Sequence, residues 1–157
     1  MSFEESYNKR VGLMAVFGGY IKAVIDDQGL EKAVEYARKS AHIDCDVMMK
    51  DYVAPDTYLT PLEARDRLRK GNPGSGIDGT VECIGNEVIS SNGKCVYYDG
   101  WVAAGITPDE VEKLCGVRFE VYGERIWQAQ NPSIEPELRQ FKNDSDGLCL
   151  EVLKFKE

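Results

Sequence analysis

The sequence has few of the residues on which common catalytic and metal sites depend. Histidine occurs once, at His42, so a site built from two histidines is excluded. None of the five cysteines forms a C-x-x-C pair, which excludes the usual zinc-knuckle and dithiol redox motifs. No apolar run is long enough to cross a bilayer, and the first residues lack the layout of a signal peptide. We therefore expect a cytoplasmic protein with reduced cysteines and with neither a metal nor a cofactor.

Positive charge is also scarce. The 19 Lys and Arg residues are outnumbered by 27 Asp and Glu residues, and the formal net charge is −8. An acidic surface repels the phosphates of nucleic acids and of anionic membranes, so we expect neither as a partner. The length and the 43% apolar content suit one folded domain over residues 1–157. A small molecule is the expected partner, and the chain is also a candidate for homodimer formation.

Three helices are predicted in the first half of the chain from apolar residues at helical spacing. They cover residues 4–27, 30–40 and 43–53, with Gly29 between the first two and Pro55 at the end of the third.

Gly18 and Gly19 lie inside the first predicted helix. Each glycine costs a helix about 1 kcal/mol relative to alanine, so a compensating gain is expected at this position. A close approach of another helix is the favoured explanation, and space for a ligand is the alternative.

Two further helices have a clear start signal. The motif Thr-Pro-x-Glu occurs at residues 60–63 and 107–110 and supplies an N-cap hydroxyl, a proline at the first helical position and a reciprocal acid. Gly71 and Gly116 are the predicted ends of these helices.

The remaining segments complete an α+β fold. Strands are predicted for residues 80–84, 87–90, 134–141 and 148–155, and helices for residues 97–104 and 117–130. Residues 91–93 are predicted as a turn, and the last two strands form a C-terminal β-hairpin. We expect N-terminal helices packed on a small, mainly antiparallel sheet.

His42 is the one histidine available to a catalytic relay. If its segment is helical, His42 and Asp46 share a face one turn apart, where they could form a hydrogen-bonded base or ligate a metal. The alternative is a surface histidine beside two acids.

Cys95 follows a predicted turn and precedes a predicted helix. Unpaired N–H groups at a helix N-terminus stabilise a thiolate, which suits a nucleophile. Tyr97, Tyr98 and Trp101 follow at once and could line a pocket. The alternative is a small buried residue at a strand-to-helix junction.

Other candidate site residues cannot be paired with a partner from their spacing in the sequence. Cys149 lies in the middle of the last strand, where packing is the default role. Glu120 and Glu124 would share a helical face, as a pair of acid–base groups does. Arg118 and Arg125 could each hold a substrate carboxylate through a bidentate contact.

The C-terminal two-thirds of the chain resembles the L-2-amino-thiazoline-4-carboxylic acid hydrolase family. The similar region begins at Cys95, includes Trp101 and continues to the Leu-Cys-Gly sequence at residues 114–116. The Asn-Pro pair at residues 131–132 and the strand at residues 147–152, with a cysteine among apolar residues, are similar to the family's closing segments. This chain has valine at position 96, where the family usually has proline.

The resemblance implies an attack on the carbon of a cyclic C–N bond in a small carboxylated heterocycle. It implies Cys95 as nucleophile or positioning thiol, Cys149 beside it, and an arginine for the carboxylate. The closing strand also resembles that of the 4-vinyl reductase domain, whose members bind small hydrophobic ligands and can hold zinc. Here Glu137 has no cysteine beside it for such a site. A hydrolase is therefore expected, with a non-catalytic binding or sensor domain as the alternative and a metal-bound structural module as a third.

Overall fold

The computed structural model of the protein describes residues 2–53 and 56–156. The helical segments are α1 (Phe3–Gln28), α2 (Leu30–Met48), α3 (Pro61–Gly74), α4 (Val96–Ala103), α5 (Pro108–Tyr122), a π-helical turn (Gly123–Trp127) and the short α6 (Gln128–Gln130). The strands are β1 (Ile77–Ile84), β2 (Glu87–Cys95), β3 (Ile134–Gln140) and β4 (Cys149–Phe155). The expected α+β class is confirmed.

The four strands form one antiparallel sheet in the order β1-β2-β4-β3. β3 and β4 are the predicted C-terminal hairpin, and β4 lies in the interior of the sheet beside β2. One face of the sheet carries the buried core residues Val88 and Leu153. The other face carries the ion pairs of Arg139 with Glu87 and Glu137 at 2.9 and 3.1 Å. The helices pack on the first face.

The helices form two levels above this face. α3 contacts β1 and β2 directly: Arg69 Nε donates to the Val81 carbonyl at 2.9 Å, and Asn72 donates to the Ser90 hydroxyl at 3.1 Å. α1 packs on α4, and α2 packs on α5. Since α4 contacts β2 and α5 contacts β3, these two helices separate the α1–α2 hairpin from the sheet.

The predicted break between the second and third helices is wrong, because α2 is continuous. Its buried residues Ala33, Ala37, Ala41 and Cys45 recur every four positions, so one small-residue face extends across the expected break. Pro55, the predicted end, lies outside the described residues.

Three other boundaries were also predicted wrongly. α3 continues past Gly71 and α5 past Gly116, and neither glycine has the positive φ of a helix-ending cap. β2 continues through the predicted turn at residues 91–93, because Asn92 pairs with Cys149 of β4. Both Thr-Pro-x-Glu capping boxes are confirmed.

The predicted close approach at Gly18 is confirmed. A Cβ on Gly18 would lie 2.7 Å from Ala104 Cβ and 3.2 Å from Trp101 Cα. Gly100 of α4 meets α1 in the same way, since its Cβ would lie 2.9 Å from the Met14 carbonyl carbon. Gly19 has no such neighbour.

Replacing Gly100 by alanine should lower the free energy of unfolding by about 1–3 kcal/mol, because the methyl group would push α1 away from α4. Gly19→Ala is the matched control and should raise it by up to about 1 kcal/mol through helix propensity. Urea denaturation followed by circular dichroism measures both changes. Equal effects of the two substitutions would contradict the close contact.

Candidate functional site

A groove of about 430 Å³ lies between the α1–α2 hairpin and the helices beneath it. Its floor contains Tyr97 and Trp101 of α4, whose rings meet edge to face at 5.9 Å, and Arg118 of α5. Its walls come from α1 and α2: Met14, Phe17, Tyr20, Ile21, Val24, Ala33, Tyr36, Ala37, Ser40 and Asp44. The groove is thus lined mainly by aromatic and aliphatic groups, with one cation.

Aromatic residues on the groove walls remain accessible. Phe17, Tyr20 and Tyr36 are 53%, 72% and 41% exposed. Large apolar side chains in such a concave, accessible cluster are typical of a binding surface rather than of a core.

Arg118 is the polar centre of the groove. Its guanidinium forms an ion pair with Asp44 at 2.8 Å and donates to the Tyr122 hydroxyl at 2.6 Å. Tyr122 in turn donates to Asp44 at 3.0 Å, and the cation lies 5.7 Å from the Tyr97 ring centre. The Arg118 side chain is only 15% exposed. These contacts hold a poorly hydrated cation in one orientation, as a carboxylate-binding arginine requires.

Two polar atoms of α4 are buried without a hydrogen-bond partner among the described residues, Asp99 Oδ1 and Trp101 Nε1. The other Asp99 oxygen accepts a short hydrogen bond from Tyr7. Trp101 lies in the groove floor, and its N–H has no hydrogen-bond partner among the described residues.

A second group of reactive side chains lies where α4 and α5 meet the sheet, and we call it the thiol cluster: Cys95, Cys115, Cys149 and Glu151. Cys149 and Glu151 share one face of β4, opposite Asn92 and Ser90 of β2. Cys95 and Cys115 both pack against a buried core cluster that includes Tyr98, Trp101 and Leu114. All five cysteines of the chain are free.

Burial, rather than the helix N-terminus, controls the thiols. It raises the pKa of Cys95 to about 11, although the amides of Tyr97 and Tyr98 oppose this rise. Burial also raises the pKa of Cys115 and of Cys149. The amides at the start of α4 favour the Cys95 thiolate, as expected, but burial outweighs them, so Cys95 is a neutral thiol in the resting protein.

Glu151, unlike the thiols, changes its protonation state near neutral pH. Burial raises the pKa of its carboxyl group to about 7, and a hydrogen bond from Asn92 opposes this shift. Asn92 itself is fixed by the Ser90 hydroxyl, which donates to it at 2.7 Å and accepts from Asn72. Glu151 retains some accessible surface. It is therefore a desolvated carboxyl group that can gain or lose a proton near neutrality.

The other predicted site residues lie elsewhere. His42 is on α2, where its Nδ1 lies 3.2 Å from Arg125, which also pairs with Asp46 at 2.6 Å. Glu120 forms an exposed ion pair with Arg38 at 2.9 Å. Tyr98 is buried in the core beneath Lys142, not in the groove. The structure thus brings Tyr97, Trp101 and Arg118 together in the groove, and Cys95 and Cys149 together in the thiol cluster.

Arg125 lies between His42 and Asp46, so a cation lies where these two residues could have bound a metal. Among the residues the structure describes, no group of three or more His, Cys, Asp and Glu side chains is arranged to hold a metal ion. No helix in the described part of the chain has the length and hydropathy to span a membrane.

Sequence reasoning missed Asp44, Tyr122 and Glu151. Tyr122 could have been found from its i, i+4 spacing to Arg118 on one helix. Glu151 is a charged residue within an otherwise largely apolar strand, on the same face as Cys149, which is a signal of a buried acid. Asp44 has no such signal, because its contact joins α2 to α5.

Comparison of the chain with protein-family models, curated proteins and solved structures found no match. The hydrolase resemblance and the predicted site roles therefore stay predictions.

The raised pKa of Glu151 predicts a pH-dependent loss of stability. The folded protein binds this proton more tightly than the unfolded chain, so the free energy of unfolding should fall as pH rises from 4.5 to about 7. Relative to Glu151→Gln, the wild type should lose roughly 3 kcal/mol over this range. Urea denaturation at several pH values measures the difference, with the exposed Glu124→Gln as the control variant. Parallel profiles for wild type and Glu151→Gln would contradict the buried carboxyl group.

Proposed function

We propose that this protein binds a small, partly aromatic carboxylate in the groove between α1, α2, α4 and α5. The observation that carries the proposal is the fixed, mostly buried cation of Arg118 in the floor of an otherwise apolar groove. A cavity of about 430 Å³ is within the range that accommodates small-molecule ligands.

The apolar walls account for the body of such a ligand. Tyr97 and Trp101 supply ring edges and faces, and Phe17 and Tyr20 can cover the ligand from α1. Burying an aromatic ring among them removes apolar surface from water on both sides.

Arg118 accounts for the carboxylate. In the free protein its charge is balanced by Asp44, which also lines the groove and whose side chain is 42% exposed. A ligand carboxylate can replace this contact, because Asp44 can turn to water while Tyr122 continues to orient the guanidinium. A neutral ligand of the same shape would gain only the apolar contacts.

Naphthoate is a suitable probe, and its neutral isostere naphthamide is the matched ligand control. Naphthoate should quench the fluorescence of Trp101, measured in a Trp127→Phe background that leaves a single tryptophan. Arg118→Gln should weaken naphthoate binding by about 10- to 100-fold, the equivalent of a lost charged hydrogen bond, and should leave naphthamide binding unchanged.

Arg38→Gln is the control variant, since Arg38 forms its ion pair with Glu120 outside the groove. Equal affinity of wild type and Arg118→Gln for naphthoate, with both folded, would refute the proposed anchor.

Hydrolysis of a cyclic C–N bond is the second candidate function. The specific observation in its favour is that Cys95 and Cys149 lie in one cluster with Glu151. Arg118 joins the two regions, because it lines the groove and its charge acts on Cys115.

L-2-amino-thiazoline-4-carboxylate tests this candidate directly. The wild type should release a ring-opened product with one added water, detected by mass spectrometry, and Cys95→Ser should abolish it. Cys83→Ser on β1 is the matched control and should retain turnover. Absence of product with the wild type, or full turnover by Cys95→Ser, would count against hydrolysis without affecting the binding proposal.

A further inference from the structure

We infer that the exposed face of α1 is the interface of a homodimer, in which the α1 helices of two copies pack antiparallel around a two-fold axis at the level of Gly18. The partner is therefore a second copy of this chain. The inference concerns the outer face of α1 and does not require the groove to bind a ligand.

A stripe of exposed residues follows the side of α1 that faces away from α4. Gly18 meets α4, whereas residues two positions before and after it lie about half a turn round the helix. The stripe has alternating spacings of four and three residues, which is the pattern of a coiled-coil seam. Its six members are all exposed: Lys9, Leu13, Val16, Tyr20, Ala23 and Asp27.

The middle of this stripe is apolar although it faces water. Leu13, Val16 and Tyr20 are 53%, 60% and 72% exposed, and Phe17 beside them is 53% exposed. No charged residue occurs between Arg10 and Lys22, so α1 is apolar on its packed side and on its open side. A helix that is apolar all round is typical of one that is covered on all sides. Within a single chain these side chains remain in water, which marks the stripe as an interaction surface.

The stripe is complementary to its own reversed copy. Antiparallel packing around residue 18 places residues equally far before and after it opposite each other. Val16 then faces the partner's Tyr20, and Leu13 faces the partner's Ala23. Each layer of the seam thus pairs a larger side chain with a smaller one, and the two-fold axis repeats both layers.

Opposite charges lie at the two ends of the seam. Lys9 is at its N-terminal end and Asp27 is at its C-terminal end. The antiparallel arrangement brings Lys9 of each copy to the partner's Asp27, whereas a parallel one would place like charges side by side. The charges therefore favour antiparallel association of two copies.

The apolar area is sufficient for a dimer. At roughly 150–250 Å² for a buried aromatic side chain, and less for leucine and valine, the exposed parts of the four large apolar side chains amount to about 450 Å² per copy. With the rest of the stripe, two copies bury more than the roughly 1,000 Å² in total that a specific interface needs. Phe17 and Tyr20 also border the groove, so the partner's α1 would lie along one side of its opening.

Sedimentation equilibrium tests the inference. The wild type should sediment at about twice the chain mass of 17.6 kDa. Val16→Glu should weaken the dimer by about 100-fold or more, because two carboxylates would be buried near the axis. Since Val16 is 60% exposed in the single chain, its circular dichroism spectrum should not change. Ile84→Glu on β1 is the matched control, because Ile84 is also 60% exposed and lies off the stripe, and it should stay dimeric.

Disulfide formation between variants tests the register. Copper phenanthroline with dissolved oxygen as electron acceptor removes two electrons and two protons from a pair of thiols and leaves a disulfide. A mixture of Val16→Cys and Tyr20→Cys chains should form a disulfide-linked dimer, since these positions face each other. Each variant alone should form far less, and the wild type reports any background from its own cysteines. Peptide mass mapping identifies the linked positions.

Three results would overturn the inference: a monomeric wild type at concentrations well above micromolar, a dimer that Val16→Glu leaves intact or that Ile84→Glu dissociates equally, or preferential cross-linking of Val16→Cys to itself. A monomer would leave the α1 face to a different protein. The naphthoate experiment depends on Arg118, which lies outside the stripe, so the groove and the dimer can fail independently.

Discussion

The close contact between α1 and α4 is the constraint on which the rest of the structure depends. Gly18 on one helix and Gly100 on the other remove the side chains that would keep the backbones apart. α4 is thereby fixed between the helical hairpin and the sheet. Since α4 begins directly after Cys95 and carries Tyr97 and Trp101, the same contact positions both the thiol cluster and the floor of the groove.

The protein is strongly acidic overall, yet its two candidate sites contain opposite charges. The groove holds the Arg118 cation, and the thiol cluster holds Glu151 on the sheet side of α5. Each charge is partly desolvated. Arg118 is held by Asp44 and Tyr122, and Glu151 accepts a hydrogen bond from Asn92. Arg118 is the side chain to which the proposed ligand carboxylate would bind.

The sequence predicts those features that arise from local interactions. The Thr-Pro-x-Glu caps and the C-terminal hairpin follow from residues near one another in the chain. The close approach at Gly18 joins distant helices, but the cost of a glycine inside a helix signals it locally. Tyr97, Trp101 and Arg118 were also recognisable as pocket candidates from their types. The sequence alone could not show that these three residues line one groove while Tyr98 and Glu120 do not. That depends on which faces of α4 and α5 point towards α1 and α2.

Features that depend on strand register or on contacts between distant helices were missed. Glu151 belongs to the thiol cluster only because β2 continues past residue 90 and pairs with β4, whereas a turn was predicted there. Local turn propensity at residues 91–93 is overridden by this pairing. Burial similarly overrides the helix N-terminus at Cys95, because desolvation of the thiolate outweighs the favourable amides.

The central claim is that a small aromatic carboxylate lies in the groove against Trp101 and Arg118. Nuclear Overhauser contacts between naphthoate protons and the protein test it most directly, because they report which side chains touch the ring. The account predicts contacts to Tyr97, Trp101 and Phe17. Contacts confined to other parts of the protein, such as Trp127, or no contacts at saturating naphthoate, would contradict it.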